Sequence, residues 1–134
     1  MHWYHDQVVP FDSHVLRRGH LSVVRPSGEI DIAVVDELMF DLSRALAGGT
    51  RALVVDLSGV TFLSAGGIGA LARARAQAEA RGCDFALAAC SRAALRVLNA
   101  IRPHLTFDLR ATVDLDPGGV EDERRDPRAA VRLA

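Results

Sequence analysis

The sequence predicts an α/β fold: a mixed β-sheet opened by a β-hairpin, followed by βα repeats with helices packed on the sheet. Three observations predict it. Residues 51–57, Arg-Ala-Leu-Val-Val-Asp-Leu, form a short continuous apolar run, the pattern of a strand buried on both faces between parallel neighbours. A Ser/Gly-rich stretch, Phe62-Leu63-Ser64-Ala65-Gly66-Gly67-Ile68-Gly69, joins this strand region to a segment with helical spacing of its apolar residues. From there strand-like and helix-like segments alternate, which implies helices layered on a sheet.

Each element has its own signal. Residues 11–16 and 21–25 read as two short strands joined by the turn Arg17-Arg18-Gly19. Pro26-Ser27-Gly28 reads as a further turn, after which Glu29-Ile30-Asp31-Ile32 leads into a helix over about 34–47, closed by Gly48-Gly49. Val34, Leu38, Leu42 and Ala45 form the buried stripe of that helix, so Phe40 points outward beside Asp36, Ser43 and Arg44. The strand 51–57 is broken by Ser58-Gly59. The helix 65–81 turns Ile68, Leu71, Arg75 and Ala78 to one face and Ala70, Arg73 and Gln77 away, with Gly82 as its stop. A strand over 84–89, a helix over 92–102 and a weaker strand over 106–109 complete the order. Ser91 is the natural cap of the last helix, and Leu95, Leu98 and Ile101 are its expected buried stripe.

The domain limits follow from composition. The 134 residues provide one domain with a single core, with 49% hydrophobic and 25% charged residues, values ordinary for a globular chain. Residues 1–10 read as an N-terminal extension and 11–115 as the domain. Residues 116–134 carry prolines and charges of both signs and almost nothing apolar, so they read as a flexible charged tail. A net charge of −1 gives no electrostatic reason to expect nucleic acid or an anionic membrane as partner. All 16 basic residues are arginine, which removes lysine-based P-loop or Schiff-base chemistry. No stretch approaches the roughly 20 apolar residues of a membrane span, and the N-terminus lacks the regions of a signal peptide, so a cytoplasmic protein is expected.

Candidate catalytic chemistry is sparse. Cys83 and Cys90 lie near the two ends of one predicted strand, roughly 20 Å apart, too far to be bridged, and read as reduced core residues. His2 and His5 have a spacing that could hold a metal, but a short terminal segment does not preorganise a site. Asp31, Asp36 and Asp41 have no partnered base or nucleophile, and the histidines and serines do not assemble into a triad spacing. The expectation is a chain that is not an enzyme and binds no cofactor or metal. Phe40 stands apart: Trp3 and Tyr4 of the extension fold back over it, or it sits exposed, or it is a contact in a homodimer or partner interface.

The turn at 64–67 carries most of the functional information. Ser64 occupies an N-cap position, its hydroxyl placed to accept from the N–H of Gly66 or Gly67. The remaining free N–H groups of the helix end, with the helix dipole, suit an anion or an acidic partner side chain.

Three stretches together resemble a family. Gly28-Glu29-Ile30-Asp31, then Val55-Asp56-Leu57-Ser58-Gly59-Val60-Thr61-Phe62-Leu63 before the glycines, then Leu95-Arg96-Val97-Leu98 in the last helix are similar to a STAS domain of the bacterial anti-sigma factor antagonist type, over roughly residues 11–115. The resemblance implies a domain that binds an anti-sigma factor with a kinase-like fold and serine-kinase activity, and so frees a sigma factor for transcription. It also implies a switch, in which the kinase phosphorylates a serine in an Asp-Ser-Ser/Thr-Gly-Leu-Gly turn. With Gly67 and Gly69 in register, the family's Asp falls on Ser64, its first serine on Ala65 and its phosphoacceptor on Gly66. The acceptor hydroxyl is therefore missing, and Ser64 is the nearest replacement.

Three functions remain open from the sequence. The first is an anti-sigma factor antagonist without the usual phospho-switch, whose partner-binding residues are Asp31, Ser64, Ala65, Gly66, Gly67, Ile68 and Arg73. The second is a STAS module that scaffolds a signalling assembly by binding other STAS proteins. The third is a nucleotide-binding protein, against which Gly66-Gly67-Ile68-Gly69 matches neither GxGxxG nor a Walker sequence.

Overall fold

The computed structural model describes residues 9–113 and, as backbone, 131–133. The elements run β1 (Asp12–Arg18), β2 (Leu21–Ile30), α1 (Val35–Ala45), β3 (Ala52–Asp56), β4 (Gly59–Leu63), α2 (Ala65–Ala80), β5 (Asp84–Ala88), α3 (Arg92–Ile101), β6 (Leu109–Val113) and β7 (Val131–Leu133). A 3-10 turn, Ile32–Val34, precedes α1. The strands form one mixed sheet in the order β1-β2-β3-β5-β6-β7, with β4 beside β2. The expected α/β class, hairpin opening and βα repeats are all present.

Connectivity places the helices. β1 and β2 are antiparallel, whereas β2, β3, β5 and β6 are successive parallel neighbours reached through α1, α2 and α3. Right-handed crossovers that advance in one direction put all three helices on the same face of the sheet. Strand residues Val24, Leu53, Val55 and Leu87 meet Leu38, Leu42, Leu71, Ala74 and Leu98 of the helices in the main core. On the opposite face Leu21, Val23, Ala52, Val54, Ala86 and Ala88 form a second buried apolar cluster.

The strand β2 is longer than the sequence suggests. It runs to Ile30 because residues 21–24 pair with β3 and residues 27–30 pair with β4, a strand the sequence reading missed by treating Ser58-Gly59 as a simple break. Pro26 does not end β2, since it falls in the gap between these two partners, where a missing N–H costs no ladder bond on that side. The expected turn at 26–28 is instead continuous strand: Gly28 pairs with Val60 and Glu29 with Phe62, so the register shifts past Thr61 of β4, and Gly28 has φ +82, where a Cβ would collide with the Pro10 carbonyl. Beside it the Glu29 N–H donates to the Val9 carbonyl at 3.0 Å.

Other expectations are revised in detail. Ala70 is fully buried, not turned away, because α2 packs with its small residues Ala70, Ala74 and Ala78 against the core. Arg75 is inward as expected, its guanidinium 4.7 Å from the Phe107 ring and donating to the Thr106 carbonyl at 2.6 Å. Leu95 is exposed, and Ala94 replaces it in the α3 stripe beside Leu98. The last expected strand lies at Leu109–Val113 instead of 106–109. Of the segment expected to be a flexible tail, Val131–Leu133 pairs antiparallel with β6, and the remainder lies outside the described residues, as do His2, Trp3, Tyr4 and His5. Among the described residues no helix is long and apolar enough to cross a membrane.

Candidate functional site

The turn that opens α2 is built from the strand inward. Ser64 is extended (φ −82, ψ 168), and its N–H donates to the Ile30 carbonyl at 2.9 Å, which ties the turn to the end of β2. Its Oγ accepts from the Gly67 N–H at 3.1 Å, and its carbonyl accepts the first helical bond, from Ile68, at 3.0 Å. Of the donors at this helix end, Ala65 and Gly66 are left with no intrahelical acceptor by the geometry of the first turn.

The glycines have different reasons. A Cβ on Gly67 would come within 2.8 Å of both Ile30 Cγ2 and Leu63 Cδ1, so only glycine lets α2 start this close to β2 and β4. A Cβ on Gly66 would stand 3.1 Å from Val35 Cγ2 and 3.8 Å from Ile32 Cγ1, at the edge of the site. Gly66 is helical, and positive φ does not explain its presence.

Asp31 caps the neighbouring 3-10 turn, its carboxylate accepting from the Ala33 N–H at 3.0 Å. This cap throws Ile32 outward, where it is 82% exposed. A Cβ on Gly69 would lie 3.6 Å from an Arg73 guanidinium nitrogen, so the Arg73 side chain reaches back along α2 towards the turn. The structure therefore brings Asp31, Ser64, Ala65, Gly66 and Arg73 onto one surface. Gly67 and Ile68 are buried beneath it and serve to build the surface, not to present a face to a partner.

Two residues of this region escaped the sequence reading. Ile32, and Phe62 at 49% exposure, are large apolar side chains at the surface, Phe62 on the side of β4 opposite the buried Leu63. Strand alternation carries a signal for Phe62 once β4 is recognised, because its neighbour Leu63 must face the helices. Ile32 carries no such signal until Asp31 is recognised as a cap.

Nucleophilic chemistry is weak here. Burial, reinforced by the Asp56 carboxylate, pushes the Cys90 thiol up to about 11, and burial also raises Cys83, so both stay protonated near neutral pH. Both are free, and among the described residues no three His, Cys, Asp or Glu side chains gather as a metal site. Asp56 itself is committed: it pairs with Arg25 at 3.0 Å and accepts from the Ser58 N–H at 2.9 Å, which fixes the turn into β4.

The arrangement of a long shared strand, a capped Ser/Gly turn and three helices on one face matches a known domain. The STAS domain sequence profile covers residues 13–115. The chain belongs to the STAS family. An anti-sigma factor antagonist from Mycobacterium paratuberculosis is 26% identical with a TM-score of 0.60, covering 84% of this STAS chain and 96% of its own. A STAS domain anti-sigma-factor antagonist from Planctomyces limnophilus is 20% identical with a TM-score of 0.62, covering 78% and 92%. The phosphorylated form of the Bacillus cell fate determinant SpoIIAA is 21% identical with a TM-score of 0.54, covering 68% and 82%. At their lower identity the last two speak to the fold alone. Among curated proteins none matches the chain.

Proposed function

We propose that this STAS domain is an anti-sigma factor antagonist: it binds an anti-sigma factor of the serine-kinase type through the turn at the start of α2, and so releases a sigma factor for transcription. It does so without the usual serine phospho-switch. The observation that carries this reading is the composition of the turn. Its acceptor position is Gly66, and its one serine has its oxygen engaged as the helix cap on Gly67. Ser64 stands two positions before the acceptor position, so a phosphoryl group on it would project in a different direction from one at Gly66. Around the turn, the Asp31 carboxylate, the exposed Ile32 and the Arg73 guanidinium offer a partner one anion, one apolar contact and one cation.

Binding without a switch means that affinity is set by shape and by the two free N–H groups. A carboxylate placed at Gly66 would occupy those donors and repel an acidic partner group. Calorimetric titration of an anti-sigma kinase co-purified from the native host tests this. Wild type should bind, Gly66→Glu should lose at least about 100-fold in affinity, equivalent to roughly 2.7 kcal/mol, and its fold should be retained. Incubation with the kinase and ATP should leave Gly66 necessarily unmodified, with Ser64 and Thr61 the only nearby hydroxyls. Stoichiometric phosphate on Ser58, or outside 58–64, would show the alignment of the turn to be wrong. If Gly66→Glu binds as tightly as wild type, the turn is not the docking surface and the scaffold role becomes the better reading.

A further inference from the structure

The outer faces of α1 and α3 carry opposite charge around an exposed apolar residue. On α1, Phe40 is 62% exposed in an open depression lined by Asp36, Glu37 and Asp41. Among the described residues Arg44 is the only cation at this face, with its guanidinium 5.6 Å from the Phe40 ring and 3.9 Å from the Asp41 carboxylate, so a net negative charge remains. On α3, Leu95 is 38% exposed, and the helical spacing of Arg92, Leu95, Arg96 and Asn99 puts them on one outward stripe. The helix contains no acidic residue, and neither Arg92 nor Arg96 is paired with a carboxylate among the described residues.

Helix stability explains only half of this pattern. Asp36 and Glu37 lie in the first turn of α1, where the dipole favours them. Arg92 lies in the first turn of α3, where the dipole disfavours it, and among the described residues it makes no compensating ion pair. Nor does stability account for an outward Phe40 and an outward Leu95.

We propose that the two faces dock on each other between copies of this chain, the acidic face of α1 in one copy receiving the basic face of α3 in the next. Charge complementarity selects the occupant: Arg92 and Arg96 meet Asp36, Glu37 and Asp41, while Leu95 packs on the Phe40 ring. α1 and α3 flank α2 on the same side of the sheet, so the two patches are distinct and can be occupied together. When the two patches of a copy engage different neighbours the contact is heterologous and produces a head-to-tail series or a ring, and when both engage the same neighbour it closes as a dimer. This inference does not depend on the anti-sigma reading.

Sedimentation velocity of the full chain over the micromolar to millimolar range tests it, at low and high salt. The expected result is a mass above the 14.4 kDa monomer that rises with concentration and falls with salt. Phe40→Ser and the pair Leu95→Ser with Arg96→Gln should each weaken association at least about tenfold, with unchanged circular dichroism, since these side chains are exposed. Mixing the two variants should restore a 1:1 complex that does not grow further, because each supplies the face the other lacks. A wild type that stays monomeric overturns the proposal. So does a dimer that Phe40→Ser abolishes and the α3 variant leaves intact, or a pair of variants that fail to complement.

Discussion

The N-termini of α2 and α3 begin with the same chemistry and end in different roles. Ser64 and Ser91 are both extended caps, and each accepts from the third following N–H at 3.1 Å. Ser91, however, also donates its hydroxyl to the Val60 carbonyl at 2.6 Å, and its own N–H donates to the Leu57 carbonyl at 3.1 Å. The start of α3 is thus fastened at its cap to Leu57 and Val60. The start of α2 is fastened from behind, through Ile30, and its front is Ala65 and Gly66 with Ile32 and Arg73 at the rim. What distinguishes the two capped helix ends is what is left uncommitted around them, since the cap itself is common to both.

Mutations can break or sharpen this contrast. Ser91→Ala should be the most damaging, at about 3 kcal/mol, because it removes a cap and also leaves the Val60 carbonyl without its partner. Gly67→Ala should cost about 2 kcal/mol through overpacking against Ile30 and Leu63, part of it offset by helix propensity. Ser64→Ala removes a single capping bond and should cost about 1 kcal/mol. Denaturant midpoints of the three variants measured side by side check the ranking; equal losses at Ser64 and Ser91 would erase the proposed difference between the two helix ends.

The smallest effect concerns pH. Cys90 precedes the α3 cap, and its thiol is raised from 9.0 to about 11, first by burial and then by Asp56. Between these values the folded chain holds a proton that the unfolded chain releases, so stability is intact below about pH 9 and declines as pH rises towards 11. Replacing Cys90 with Ala should flatten that decline in a series of midpoints from pH 8 to 11. No corresponding thiol stands beside Ser64.

The legible parts of the fold were those with local signals. The apolar runs at 52–56 and 84–88, and the caps Ser64 and Ser91, lie where sequence reasoning puts them because a continuous hydrophobic run and an N-cap are each specified within a few residues. The hidden parts were decided by neighbours distant in sequence. Pro26 and Gly28 read as a turn until β4 supplies the second partner of β2, and β4 itself is short, with only Val60 and Leu63 buried. Ala70 could not be oriented because alanine fits either face of a helix, and Leu95 went outward because α3 buries Ala94 in its place. At the site the turn was legible, while the exposure of Ile32 depended on a cap at Asp31, and the burial of Gly67 and Ile68 on the position of β2.

The single strand that serves two neighbours has a consequence for how the molecule opens. β2 holds β3 with its first half, and with its second half holds β4 and, through the Ile30 carbonyl, the Ser64 amide. The surface turn thus hangs on the same strand that anchors the hairpin and the middle of the sheet. Regions joined in this way open as one cooperative unit instead of fraying separately. Amide exchange at Ser64 and Gly67 would accordingly follow that of Val23 and Val24, and a copy able to dock would by that fact be a copy whose sheet is complete.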